Sequence, residues 1–112
     1  MALIVPKFGG TSVGSAAAMQ QVARIVQDMQ KNGDQVVVTS AMGKSPDPND
    51  QVKVTDLLIN SARNAAAGGD DYVKARHALA LKHHNIIRAI VTDQADRDTI
   101  SREVEQLLAG FE

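Results

Sequence analysis

The chain has 112 residues, with 12 basic and 13 acidic side chains and a net charge of −1; 44% of residues are hydrophobic and 22% charged, the make-up of one globular domain and not of a disordered segment. Near-neutral charge and only 3% aromatic residues exclude the cationic footprint and stacking surfaces of a nucleic-acid-binding protein, and give no basic face for an anionic membrane. With no cysteine there are no disulfides or thiolate metal sites, and the opening MALIVPK is neither a signal peptide nor a membrane span, so the cytoplasm is the expected compartment.

Ala2–Val5 is a short continuous apolar run bounded by Pro6 and a glycine turn, which predicts a buried strand. From Ser15 to Lys31 the positions Ala18, Met19, Val22, Ala23, Val26 and Met29 recur at spacings of three and four, the mark of one helical face. Asn32-Gly33-Asp34 closes that helix, with Gly33 as a left-handed C-terminal cap. Gln35–Thr39 is rich in β-branched residues and predicts a second buried strand. Strand, helix and strand in about forty residues form a βαβ unit with parallel strands and a right-handed crossover.

Beyond Ser40, AMGKSPDPNDQ has the proline, asparagine and aspartate content of a loop. Three helices follow. The first covers about 52–67, with Val54, Leu57, Leu58, Ala62 and Ala65 as its buried stripe, and ends at Gly68-Gly69. The second covers about 71–91 and buries Leu79, Ile86, Ile87 and Ile90. The third covers about 96–109 and buries Ile100, Val104, Leu107 and Leu108. Two parallel strands make a small sheet with open edges, so the chain is expected to be the front portion of a larger fold.

The junction Lys7-Phe8-Gly9-Gly10-Thr11-Ser12 carries the chemistry. A strand turning into a helix near Val13–Ser15 presents backbone N–H groups and the positive end of the helix dipole, both of which favour an anion. Gly9 and Gly10 allow close backbone approach, Thr11 and Ser12 add hydroxyl donors, and Lys7 adds a positive charge. Those features suit a phosphoryl group in transfer, where catalysis is mostly positioning and charge stabilisation. The spelling is not that of a Walker A loop: Gly9 and Gly14 have the right separation, but Ser15 stands where lysine is required. Gly43-Lys44-Ser45 fails as well, with Val38 at the first glycine position, and no GxGxxG is present. A glycine turn serving only close helix–strand packing is the plain alternative.

Val5–Gly14, VPKFGGTSVG, closely resembles the K-F-G-G-T-S-V signature of aspartate kinases. Val36–Lys44, VVVTSAMGK, is similar to the V-V-V-S-A-M-G of the same family, and Thr55-Asp56-Leu57-Leu58 to its T-D-x-L. The resemblance covers the first half of the chain. It implies an α/β, amino-acid-kinase (carbamate-kinase-like) fold, present here in part as a βαβ unit followed by about three helices, with residues 1–112 as the N-terminal part of the kinase domain. The implied reaction is phosphoryl transfer from ATP, accompanied by Mg²⁺, to the side-chain carboxylate of L-aspartate, the entry to lysine, threonine and methionine synthesis, in a homo-oligomer.

By the same resemblance Lys7 would neutralise the transferring group, and Gly9, Gly10, Thr11 and Ser12 would hold the phosphate. Ser40 and Thr55 would bind aspartate. Pro6 inside the first strand and the insertion at 45–54 depart from the pattern. The family's adenine-binding and regulatory regions lie further along its chains, so this chain is expected to be an N-terminal fragment, inactive alone. A non-catalytic assembly module built on the front half of the fold is the competing reading.

The remaining polar groups read as structural. His77, His83 and His84 lack a carboxylate at helical ligand spacing, so no metal site is expected, and Asp93, Asp96 and Asp98 read as helix N-caps and dipole partners. The loop at 47–50 lacks the glycine and glutamate of a calcium loop, the methionines read as core filler, and Arg88, Arg97 and Arg102 as solvated helix faces.

Overall fold

The computed structural model describes residues 2–110, and the chain forms two compact units, Met1–Lys53 and Val54–Glu112.

In the first unit, β1 (Ala2–Ile4) pairs in parallel with β3 (Gly33–Gln35), and β2 (Lys7–Phe8) with β4 (Val38–Thr39). Each expected strand is thus divided in two, and the first runs on past Val5 to include Lys7. Proline is the cause. Pro6 has no N–H to give, so one rung of the ladder is lost. Its carbonyl still accepts from the Val38 amide at 2.9 Å, as Ile4 does from Val36 at 2.9 Å and Phe8 from Ser40 at 3.0 Å. Register survives the break: Ala2 faces Gly33 and Phe8 faces Thr39, the same offset of 31 residues.

The strands are not buried as expected. Val36, Val37 and Val38 are 52%, 40% and 42% exposed, and Leu3 and Val5 are exposed too. A run apolar on both faces needs a layer on each side, and the described residues of two short strands do not supply both.

Helix α1 (Ala16–Met29) connects the pairs. Ser15 caps it: the backbone is extended there and the Oγ accepts from the Ala18 amide at 3.2 Å, an interaction worth about 1 kcal/mol. Its expected face is visible, since Ala18, Met19, Val22, Val26 and Met29 are half-buried, although Ala23 is exposed. The helix ends in a 3₁₀ turn, Gln30–Asn32, and not in a left-handed cap. Gly33 has φ 149° and ψ −176° and belongs to β3; a Cβ there would run into the Ala2 carbonyl oxygen. The residue is glycine for two reasons, positive φ and close approach of the partner strand. Gln35 then ties β3 to the helix, its Nε2 donating to the Val26 carbonyl at 2.8 Å.

The second unit contains α2 (Val54–Ala66), α3 (Tyr72–Ile90) and α4 (Gln94–Ala109), with α3 packed against both others. The inward side of α3 runs Ala75, Leu79, Lys82 and Ile86, joined by Ile87, while Ile90 is half-buried. On α2 the expected stripe is rotated: Val54 and Ser61 are buried and Leu57 and Asn64 half-buried, while Leu58, Ala62 and Ala65 are exposed. Polar residues take inward positions because their hydrogen bonds are satisfied locally. Ser61 Oγ donates to the Leu57 carbonyl at 2.6 Å, and Asn64 Oδ1 accepts from the Asp71 amide at 3.1 Å. Gly68, at φ 87°, makes the turn between them.

Helix α4 has no fully buried residue; Val104 and Leu108 are half-buried, and Leu107 is 80% exposed. Polar contacts tie it to α3. Asp93 caps α4, accepting from the Asp96 amide at 2.9 Å. Arg97 is no solvated side chain: it donates through Nη2 to the Arg88 carbonyl at 2.8 Å and through Nε to the Val91 carbonyl, capping the C-terminus of α3. His84 Nε2 meets Glu105 Oε1 at 2.7 Å.

Replacing Gly33 with alanine adds backbone strain and a clash with Ala2. Gly33→Ala is expected to destabilise the first unit by about 2–3 kcal/mol, read by urea titration of its amide resonances, with the second unit's resonances unmoved; an unchanged midpoint would refute the packing described.

Candidate functional site

Parallel pairing brings the C-terminal ends of β2 and β4 together, and the two segments that leave them form the site. Ligands of open α/β sheets bind at that end of the strands. The first segment is a 3₁₀ turn, Gly10–Val13, followed by Gly14 and the Ser15 cap. The glycine turn is therefore separate from α1, whose own N-terminus is capped by Ser15.

Within the turn, the Ser12 amide donates to the Gly9 carbonyl at 3.1 Å and the Gly14 amide to Thr11 at 3.4 Å. The amides of Gly9, Gly10 and Thr11 have no acceptor among the described residues. Three unpaired donors precede the first satisfied one, the normal state of a helix start. Gly9 is exposed and Gly10 half-buried, so these donors lie at the surface. Lys7 is exposed, two residues ahead of Gly9, with no carboxylate within ion-pair distance among the described residues. Thr11 and Ser12 are exposed as well, and neither hydroxyl has a hydrogen-bond partner among the described residues.

The second segment starts at Ser40, whose amide is held by the Phe8 carbonyl at 3.0 Å and whose Oγ donates to the Ala41 carbonyl at 3.1 Å. It returns against the turn: the Gly43 amide donates to the Gly10 carbonyl at 2.8 Å. Thus the structure collects Lys7, Gly9, Gly10, Thr11, Ser12 and Ser40 at one end of the paired strands. Thr55 is an exposed residue in the first turn of α2, in the second unit.

Gly43 and Gly14 pack backbone against backbone where the two segments meet, a contact that their spelling did not reveal. Close packing onto another loop leaves no local sequence pattern beyond the glycine itself. The loop beyond Lys44 organises itself: Asp47 Oδ1 accepts from the Asn49 amide at 2.9 Å, and Gln51 Nε2 donates to the Ser45 and Asp47 carbonyls at 3.0 and 2.7 Å. This is a self-bonded excursion.

Elsewhere the polar groups are engaged in structure. An open hollow of about 410 Å³ at the α3–α4 corner is lined by Ile90, Thr92, Asp93 and Asp96, with Asp93 already used as the helix cap. His83 Nδ1 bonds the Leu79 carbonyl at 2.7 Å, so that nitrogen carries the proton. No group of three or more histidines or carboxylates could hold a metal among the described residues, and no described helix is long and apolar enough to cross a membrane.

The sequence model of the Amino acid kinase family matches residues 2–109. The chain belongs to the amino acid kinase family. Its relatives include an aspartokinase of Geobacillus stearothermophilus, 58% identical over 64 residues, which are 56% of this chain and 14% of that protein. An aspartokinase of Bacillus sp. (strain MGA3) is 60% identical over 68 residues, 60% of this chain and 14% of that protein. A chloroplastic bifunctional aspartokinase/homoserine dehydrogenase 2 of Arabidopsis thaliana is 32% identical over 92% of this chain and 10% of its own length. Among solved structures, aspartate kinase of Clostridium acetobutylicum aligns with a TM-score of 0.61 and 21% identity over 93% of this chain and 23% of that one, a likeness of fold. This member of the family spans about one seventh of the length of the first two relatives.

Hydrogen exchange reads the state of the turn directly. The amides of Gly9, Gly10 and Thr11 are expected to exchange near the unprotected rate, and those of Ser40 and Gly43 at least tenfold more slowly. Equal protection across all five would show that the turn's donors are satisfied within the chain.

Proposed function

We propose that this chain is the phosphoryl-binding front part of an aspartate kinase domain, which transfers phosphate from ATP to the side-chain carboxylate of L-aspartate in the cytoplasm. The observation that carries the reading is the row of unpaired amides at Gly9, Gly10 and Thr11 beside the exposed Lys7. Aspartokinase relatives at 58–60% identity supply the substrate class.

In this reading the three amides bind oxygens of the transferring group, and the Lys7 ammonium balances charge that accumulates on them, the kind of preorganised stabilisation on which phosphoryl transfer depends. Thr11 and Ser12 hydroxyls donate to the same oxygens. Ser40, on the adjoining segment, orients the acceptor carboxylate. ATP fits the donors present. Mg²⁺ would enter with the nucleotide, held by its phosphates and water with few protein carboxylates. The product would feed lysine, threonine and methionine synthesis, and the complete enzyme would be a homo-oligomer.

The exposed Val36–Val38 run supports a second reading, an assembly module that pairs its strands with another chain and performs no chemistry.

Two measurements test the proposal. Titrating the chain with inorganic phosphate is expected to shift the amide resonances of Gly9, Gly10 and Thr11, and Lys7→Ala to weaken that binding about tenfold, in line with the loss of one charge-assisted contact; no shift at the turn would remove the phosphoryl role. Incubation with ATP, Mg²⁺, L-aspartate and hydroxylamine is expected to give no aspartyl hydroxamate from this chain alone, because its match covers only 14% of the length of those aspartokinase relatives; turnover would refute the partial-domain reading.

A further inference from the structure

Three glycines meet where the two segments of the site touch. A Cβ placed on Gly43 would lie 2.6 Å from the Gly10 carbonyl carbon, 2.8 Å from its oxygen and 3.0 Å from the Thr11 nitrogen. All three atoms are backbone, so no flexible side chain could yield. On the other side, a Cβ on Gly14 would collide with the Lys44 carbonyl oxygen and lie 2.8 Å from that of Gly43. Gly10 has its own Cβ position 3.3 Å from Gly43 Cα. The Gly43 amide to Gly10 carbonyl hydrogen bond, 2.8 Å, closes the contact. Gly14 and Gly43 are buried at this joint and Gly10 is half-buried.

The joint lies directly beneath the unpaired donors. The peptide unit joining Gly10 and Thr11 has its carbonyl fixed by Gly43, and a planar peptide orients its N–H opposite its carbonyl. Fixing the Gly10 oxygen therefore aims the Thr11 N–H. A turn held only by its own 3₁₀ bonds would have no such anchor.

We propose that Gly43 is a positioning residue for the phosphoryl-binding turn: its backbone aims the Thr11 amide and holds the Ser40 segment and the Gly9–Ser12 turn as one piece, so that the acceptor and phosphoryl halves of the site are aligned before any ligand arrives. This rests on the reading of the turn as a phosphate cradle. Gly14 completes the joint from the helix side. Such preorganisation is valuable in phosphoryl transfer, where a displacement of about 1 Å can cost on the order of a hundredfold in rate.

The test is a phosphate titration of the chain and of Gly43→Ala, followed through amide resonances. In the wild type, shifts at Gly9, Gly10 and Thr11 are expected to be accompanied by a shift at Gly43. In Gly43→Ala, phosphate affinity at the turn is expected to fall at least tenfold while Lys7–Phe8 and Val38–Thr39 remain paired and the second unit is unmoved. Wild-type affinity in a folded Gly43→Ala overturns the inference and leaves the phosphate reading intact. Loss of all turn shifts in the wild type overturns both. Should Gly43→Ala unfold the first unit, Gly14→Ala and the wild-type titration decide: a Gly43 resonance that stays still while Gly9–Thr11 move refutes the coupling, and one that moves in step supports it.

Discussion

The parallel register of residues 2–8 against 33–39 is the constraint on which the first unit depends. Because every pair keeps the same offset, both strands finish together, and the Gly9 turn and the Ser40 segment leave from one end. A slip of one residue would reverse which side chains face which way and carry Ser40 away from the turn. Pro6 threatens this ladder without breaking it, since its carbonyl still accepts from Val38 and only its donor is missing. Gly33 protects the other end, where no side chain fits beside Ala2.

From that register the site follows by two further steps. The 3₁₀ turn satisfies the Ser12 and Gly14 amides and leaves those of Gly9, Gly10 and Thr11 directed at nothing in the described chain. The glycine joint at 10, 14 and 43 then clamps the turn to the neighbouring segment. Capping of α1 by Ser15 separates two helix starts: the helix meets its own needs, and the first amides of the 3₁₀ turn stay without an acceptor among the described residues. The second unit shows the opposite economy. There Arg97, Asp93, Ser61 and His84 spend their hydrogen bonds on helix ends and helix contacts.

Membership of the amino acid kinase family agrees with this division of labour. The identities of 58% and 60% to two aspartokinases cover 64 and 68 residues, a little over half the chain, while the family model and the fold likeness reach across nearly all of it.

The sequence alone determined the elements with strong local causes: α1 from its three-and-four spacing, the ends of α2 from Gly68, the Asp93 cap, and the candidate turn from a glycine-hydroxyl spelling that packing alone does not require. Local chemistry is sufficient there because caps, periodicity and turns act over a few residues. Tertiary structure decided the split of each strand around Pro6, the role of Gly33 as a strand residue, the inward turn of Ser61 and Asn64, and the seating of Gly43 against Gly10. Each of these depends on which atoms approach from a distant part of the chain, and one-dimensional hydrophobicity contains no record of that approach: a serine with a hydrogen bond is as buriable as a leucine, and a glycine under a neighbouring backbone is spelled like any other.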